Sequence, residues 1–124
     1  MYFVIGLFLL IFSGADKSIQ NDDLLACITK YDAKWGEDCS QCKYMNDTYT
    51  VFFKNNCDQI LDVKCAVQEN DLYWKTYTFL NVEPERTFTA YACRGTGKYQ
   101  YWVKLSGDRS IELPSDDVIN HRED

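Results

Sequence analysis

The stretch ILDVKCAVQ, residues 60–68, alternates in character along its length. Leu61, Val63, Cys65 and Val67 fall on one side and Asp62, Lys64 and Gln68 on the other, the pattern of a strand with one face in a core and one toward water. Working outward, residues 49–54 are rich in aromatic and β-branched side chains and stop at Asn55-Asn56, a turn signal. Downstream, Glu69-Asn70-Asp71 turns the chain into a third strand, residues 73–80. Val82-Glu83-Pro84-Glu85 supplies the next turn, with Pro84 suited to its first central position. Residues 87–93 make a fourth strand, Gly95-Thr96-Gly97 permits a tight turn, and residues 98–105 make a fifth. In that fifth strand Tyr99, Tyr101, Val103 and Leu105 share one side, Lys98, Gln100 and Lys104 the other. With residues 111–113 as a brief edge strand, the spacing predicts a mainly all-β domain: a small antiparallel sandwich of five to seven strands, stapled by disulfides.

The region before this block reads differently. Residues 2–12, YFVIGLFLLIF, are an apolar run followed by Ser13-Gly14-Ala15, small residues at the positions a signal peptidase reads. Cleavage is expected after Ala15. The run is shorter than the roughly 20 residues a bilayer span needs, and polar residues 16–23 follow at once. Export follows, to the extracellular space, or to the periplasm in a Gram-negative host, with no membrane insertion of the mature chain. Leu24, Leu25, Ile28 and Tyr31 recur at helical spacing after a candidate N-cap, Asn21 or Asp22, and predict a short helix. Residues 32–47 read as a cysteine-tied loop. The expected organisation is a signal peptide over residues 1–15, a helix-and-loop segment over 16–47, a sandwich over 48–113 and a flexible acidic tail over 114–124.

Six cysteines, Cys27, Cys39, Cys42, Cys57, Cys65 and Cys93, all follow the leader. An even count in an exported chain reads as a disulfide framework, with 15 pairings open. Cys65 with Cys93 is the bridge best motivated by predicted strands, although Phe88, Ala90 and Ala92 form the inward set of that strand and leave Cys93 out of phase unless a bulge intervenes. Cys57 would then join Cys39 or Cys42, and Cys27 the other. Cys39-Ser40-Gln41-Cys42 also matches C-x-x-C, but Glu37 and Asp38 precede it and disfavour a reactive thiolate. Thiol–disulfide exchange there is a minor reading, and oxidation after export argues against a metal site.

Charge and motif content narrow the chemistry. The net charge of −6, with no cluster of Lys or Arg, excludes a nucleic-acid partner that must be held through its phosphates. The single histidine, His121, sits in the predicted tail, where a mobile base holds no catalytic geometry. Nineteen acidic residues show no spacing that singles out a catalytic pair. No catalytic residue and no cofactor is assigned, and a monomer is expected. The tentative binding residues are Trp102, on the polar side of the fifth strand, and Trp74, which shares a face with Thr76 and Thr78. Exposed on a sheet, they would form a platform for a glycan or protein; sandwiched between sheets, they would be core. Asn46-Asp47-Thr48 is a glycosylation sequon, relevant to Asn46 only in a eukaryotic host.

Two stretches, TYTVFFKNNCDQILDVKCAVQ (residues 48–68) and FTAYACRGTGKYQYWV (residues 88–103), resemble small secreted cysteine-rich β-sandwich proteins of the plant self-incompatibility S1-like and tapetum-determinant-like types, and similar short exported bacterial domains of unknown function. In those proteins an Asn-Asn or Asn-x-Cys closes a first strand, a Val-x-Cys strand follows and a late strand carries another cysteine. The matching positions are Asn55, Asn56 and Cys57, then Val63 and Cys65, then Cys93. The segment containing Cys39 and Cys42 departs from the pattern. The resemblance implies a sandwich that acts by binding, as a secreted ligand or recognition module, and carries over no catalytic residue. The functional expectation is therefore an extracellular module that binds a protein or glycan, with an inhibitor acting through the loop at residues 36–47 as the alternative.

Overall fold

The computed structural model describes residues 21–36, Cys42 and residues 47–121. The predicted signal peptide, Cys39 and Asn46 lie outside these residues. A one-turn helix, α1 (Asn21–Leu25), leads into strand β1 (Ile28–Trp35). Then follow β2 (Tyr49–Asn55), β3 (Leu61–Glu69), β4 (Trp74–Val82), β5 (Thr87–Ala92), β6 (Gly95–Leu105) and a short helix, α2 (Asp116–His121). Two three-stranded antiparallel sheets result, ordered β1-β2-β5 and β4-β3-β6. The fold is a small, disulfide-stapled, all-β sandwich. Among the described residues no helix is long and apolar enough to cross a membrane.

The alternation read from the sequence sets the core. Val51 and Phe53 of β2, Leu61, Val63, Cys65 and Val67 of β3, and Phe88, Ala90 and Ala92 of β5 all point between the sheets. Phe53 is the hub, with ring centroids 5.3 Å from Phe88, 5.8 Å from Tyr99 and 5.8 Å from Tyr101. Aromatic packing at such separations adds to the burial of area itself.

Two irregularities re-aim side chains. In β1 the register slips between Lys30 and Asp32, leaving Tyr31 as an extra residue. This bulge breaks the period of two, so the segment read as a helix from Leu24 to Tyr31 is helical only to Leu25 and is a strand from Ile28. In β4 a bulge at residues 80–81 places Asn81 at φ 55° and turns Val82 inward. The buried carboxylate of Asp62 accepts the Asn81 N–H at 2.9 Å and holds it.

The tail also differs from expectation. Residues 111–113 form no strand, and residues 116–121 fold into α2 against the outer face of the second sheet. Ile119 packs on Ala66 and Trp74, with Trp102 beside them. Asp116 Oδ1 accepts from Lys64 Nζ at 2.6 Å and from Thr76 Oγ1 at 2.7 Å. Asn120 imitates a strand neighbour: its Oδ1 accepts the Trp74 N–H at 2.7 Å and its Nδ2 donates to the Trp74 carbonyl at 3.1 Å.

The disulfides are Cys27–Cys57 and Cys42–Cys93. Cys65 is free and fully buried. The expected Cys65–Cys93 bridge is thus corrected, and so are the pairings of Cys57 and Cys27 that followed from it. Cys93 lies past the end of β5, beside Gly95, which pairs with Glu69. Cys65 is four residues back along β3, about 13 Å at ~3.3 Å per residue. Cys27 meets Cys57 because Ile28 pairs with Asn55, and the Asn56 N–H donates to the Cys27 carbonyl at 2.8 Å.

Candidate functional site

Trp74 and Trp102, the tentative binding residues for which a surface platform and a core role were both open, are packed under α2. Trp74 is 8% exposed and half-buried Trp102 packs against the same small cluster under α2. Their strand parity is as predicted, on the outer face with Thr76 and Thr78, but the C-terminal helix covers that face. They belong to a second core. His121 ends α2 and is exposed, and among the described residues no group of His, Cys, Asp and Glu is arranged to hold a metal. Cys42 is committed to Cys93, so a Cys39–Cys42 exchange dithiol is not available in this state. Burial pushes the Cys65 thiol up to about 12, which keeps it protonated and unreactive at neutral pH.

The third tryptophan, Trp35, is the exposed one, at 53%. It ends β1 opposite Tyr49, with ring centroids 4.7 Å apart. It also faces Gly97, where φ is 92° and an added Cβ would lie 3.3 Å from the indole. The ring therefore rests on an aromatic neighbour and on bare backbone, in a fixed pose.

Several segments converge at this end of the sandwich. The Gly36 N–H donates to the Thr48 carbonyl at 2.8 Å, and the Gly95 N–H to the Asp47 carbonyl at 2.9 Å. At Gly95 the chain crosses from one sheet to the other, and a Cβ there would lie 2.5 Å from the Tyr49 Cβ, so only glycine allows the approach. The Asn70 N–H donates to the Arg94 carbonyl at 2.7 Å, which brings the β3–β4 turn to the same corner. That turn exposes Leu72 (67%), held at φ 74°, and Tyr73 (52%). The Cys42–Cys93 bridge pins the connection between β1 and β2 here as well. The end thus presents Trp35, Leu72 and Tyr73 on covalently and hydrogen-bond-fixed backbone.

Nothing in the sequence reading singled out Trp35, because it sits in a stretch read as loop; the cue available was an aromatic next to Gly36 at the start of a cysteine-bearing connection. Comparison with known proteins finds no matching family model, no matching curated protein and no matching solved structure.

Proposed function

We propose that this chain is an exported, disulfide-stapled recognition module that binds an extracellular protein through the Trp35 end of its sandwich. One observation carries the reading: Trp74 and Trp102 are structural, whereas Trp35 stands exposed on rigid backbone with Leu72 and Tyr73 at the same end. Tryptophan and tyrosine dominate the energetics of protein interfaces, and pre-set side chains lose little entropy on docking. Two large exposed hydrophobic residues at the same end, Leu72 and Tyr73, favour a protein partner over a sugar. The apolar leader and the two bridges support an oxidising compartment. The resemblance to small secreted sandwich ligands points the same way.

The test compares Trp35→Ala and Leu72→Ser with Ile60→Ser, which alters an exposed apolar residue at the far end. Binding is read by surface plasmon resonance against proteins and glycans from the host's extracellular fraction. Trp35→Ala should weaken protein binding by about 30-fold or more, roughly 2 kcal/mol, with the melting temperature held. Ile60→Ser should leave affinity unchanged. Full affinity in Trp35→Ala would sink the proposal, and binding confined to glycans would redirect it. The inhibitor reading keeps one supporting observation, the anchoring of the β1–β2 connection at its Cys42 by Cys93. Assays of extracellular proteases and glycosidases decide it, since inhibition must fall in step with Trp35→Ala binding.

A further inference from the structure

A pocket of about 230 Å³ opens at the end of the molecule opposite Trp35. Leu25, Trp102, Val103, Ile111, Leu113 and Pro114 line it. Three separate pieces of chain converge there: the end of α1, the edge strand β6, and the strap of residues 108–114 between β6 and α2. We propose that this pocket is a binding site for a small, neutral, apolar ligand about the size of an indole ring.

The walls are held apart by bonds that do not depend on an occupant. Lys104 Nζ donates to the carbonyls of Asp108 at 3.1 Å and Ile111 at 3.2 Å, which fixes the strap above β6. Asp108 Oδ1 accepts from the Ser110 N–H at 2.9 Å and its hydroxyl at 2.6 Å, closing the turn into the strap. At the strap's other end, Asp116 anchors α2 on Lys64 and Thr76. On the facing wall, Tyr101 OH donates to the Leu25 carbonyl at 3.3 Å, and the Cys27–Cys57 bridge follows two residues later. Protein interiors normally close on themselves, so an apolar space kept open by polar ties has the character of a preformed site.

Size and charge select the ligand class. A dry apolar cavity of about 150 Å³ accommodates benzene, so 230 Å³ seats a bicyclic ring or a short branched alkyl group. The one ionisable lining residue, Glu112, is exposed, and Lys104 is engaged by two carbonyls on the strap. Among the described residues no buried counter-charge faces the space, so a charged ligand would lose hydration without compensation. Trp102 offers a flat partner against which a neutral ring can pack.

The experiment uses the oxidised, leader-free chain labelled with ¹⁵N. Indole is titrated, with indole-3-acetate and tryptamine as charged counterparts, and shifts are followed at the Trp102 indole N–H and at the amides of Ile111 and Leu113. Indole should give saturable shifts there, at least about tenfold tighter than either charged probe. Leu113→Phe, which fills the space, should abolish them while the melting temperature is kept; Ile111→Phe serves if Leu113→Phe does not fold. Shifts that fail to saturate, tighter binding of a charged probe, or unchanged indole binding in the folded filled variant would each overturn the proposal.

Discussion

Asn55 and Asn56 are neighbours of the same type, and the structure assigns them opposite weights. Asn55 is fully buried, its Nδ2 donating to the Gln59 carbonyl at 2.9 Å and the Val82 carbonyl at 3.0 Å. Its Oδ1 accepts the Cys57 N–H at 2.9 Å. One side chain thus ties the end of β2 to the β2–β3 connection and to the end of β4. Asn55→Ala removes the bonds to Gln59 and Cys57, each with a net value of about 1 kcal/mol, and leaves the buried Val82 carbonyl without this donor, which costs about 1–3 kcal/mol. The expected loss is about 3–5 kcal/mol, a large part of a small domain's roughly 5–15 kcal/mol. In melting temperature that is at least ~12 °C at about 4 °C per kcal/mol. Asn56 is exposed and its Nδ2 donates to the exposed Thr29 Oγ1, so Asn56→Ala should cost under about 0.5 kcal/mol. Urea unfolding of the oxidised protein, followed by tryptophan fluorescence, measures both through the midpoint at constant slope. Asn55→Asp sharpens the test. It keeps the acceptor for Cys57 but sets a carboxylate against two carbonyl oxygens, which favours its protonated form. Its deficit relative to the native chain should narrow as pH falls and the acid regains a donor. A cost below about 1 kcal/mol for Asn55→Ala, or a pH-independent deficit for Asn55→Asp, would refute the assigned network.

Titratable groups supply three more tests. Cys65, raised to about 12 by burial, should resist alkylation at pH 8 until urea unfolds the chain, as peptide mapping would show; rapid labelling in native buffer would contradict its placement. Its unfolded thiol ionises near 9 while the folded one stays protonated, so this contribution to stability is complete below about 9 and declines as pH rises toward 12. Burial and the neighbouring Tyr91 raise the Tyr77 phenol in the same sense, and the midpoint in urea should therefore fall between pH 9 and 11. Asp116 is held below the usual carboxylate range, first by the hydrogen bond from Lys64 and then by that from Thr76. Its contribution is present above the unfolded value near 4 and disappears as pH falls through the lower folded value. Fluorescence of Trp74 and Trp102 under α2 should change in that acid window, and Asp116→Asn should remove the dependence; an identical acid profile in the variant would disprove it.

The strands legible in the sequence are those whose two faces meet different surroundings. In β3, β5 and β6 one set of residues faces the space between the sheets, and those sets (Leu61, Val63, Cys65 and Val67; Phe88, Ala90 and Ala92; Tyr99, Tyr101, Val103 and Leu105) are legible in the sequence. β1 escaped because Tyr31 interrupts its period and because six of its eight residues are exposed, which leaves little apolar alternation to read. α2 escaped because six residues give barely more than one turn, and its one buried residue, Ile119, finds its seat only in the assembled sheet. That omission had a consequence for function, since an uncovered outer face would have left Trp74 and Trp102 open. The disulfides were illegible for a different reason. Cys93 is out of phase with the inward set of its strand, a signal pointing away from Cys65, but its partner Cys42 lies in the 13-residue connection between β1 and β2, which the strand pattern does not place. The pose of Trp35 depends on its contacts with Tyr49 and Gly97, which lie 14 and 62 residues away in sequence.

The placement of the two bridges connects the fold to the proposed function. Cys27–Cys57 spans 30 residues and lies at the Asn55 end; Cys42–Cys93 spans 51 and lies at the Trp35 end. In the chain-entropy account both are worth about 4 kcal/mol, so neither outranks the other for stability. Their local roles differ. Near Cys27–Cys57 the backbone is also tied by Asn55 and by the Asn56-to-Cys27 hydrogen bond, so geometry there survives on noncovalent contacts. At the other end, the midpoint of the β1–β2 connection is fixed to the sheet by sulfur, while Trp35 projects from an edge strand with solvent on its open side. Loss of Cys42–Cys93 therefore loosens the surface that would meet a partner more than it loosens the core, and recognition should be the property most sensitive to reduction. Under the proposed function an oxidising compartment would then be a condition for contact as much as for folding, so the proposed export and the proposed binding role stand or fall together.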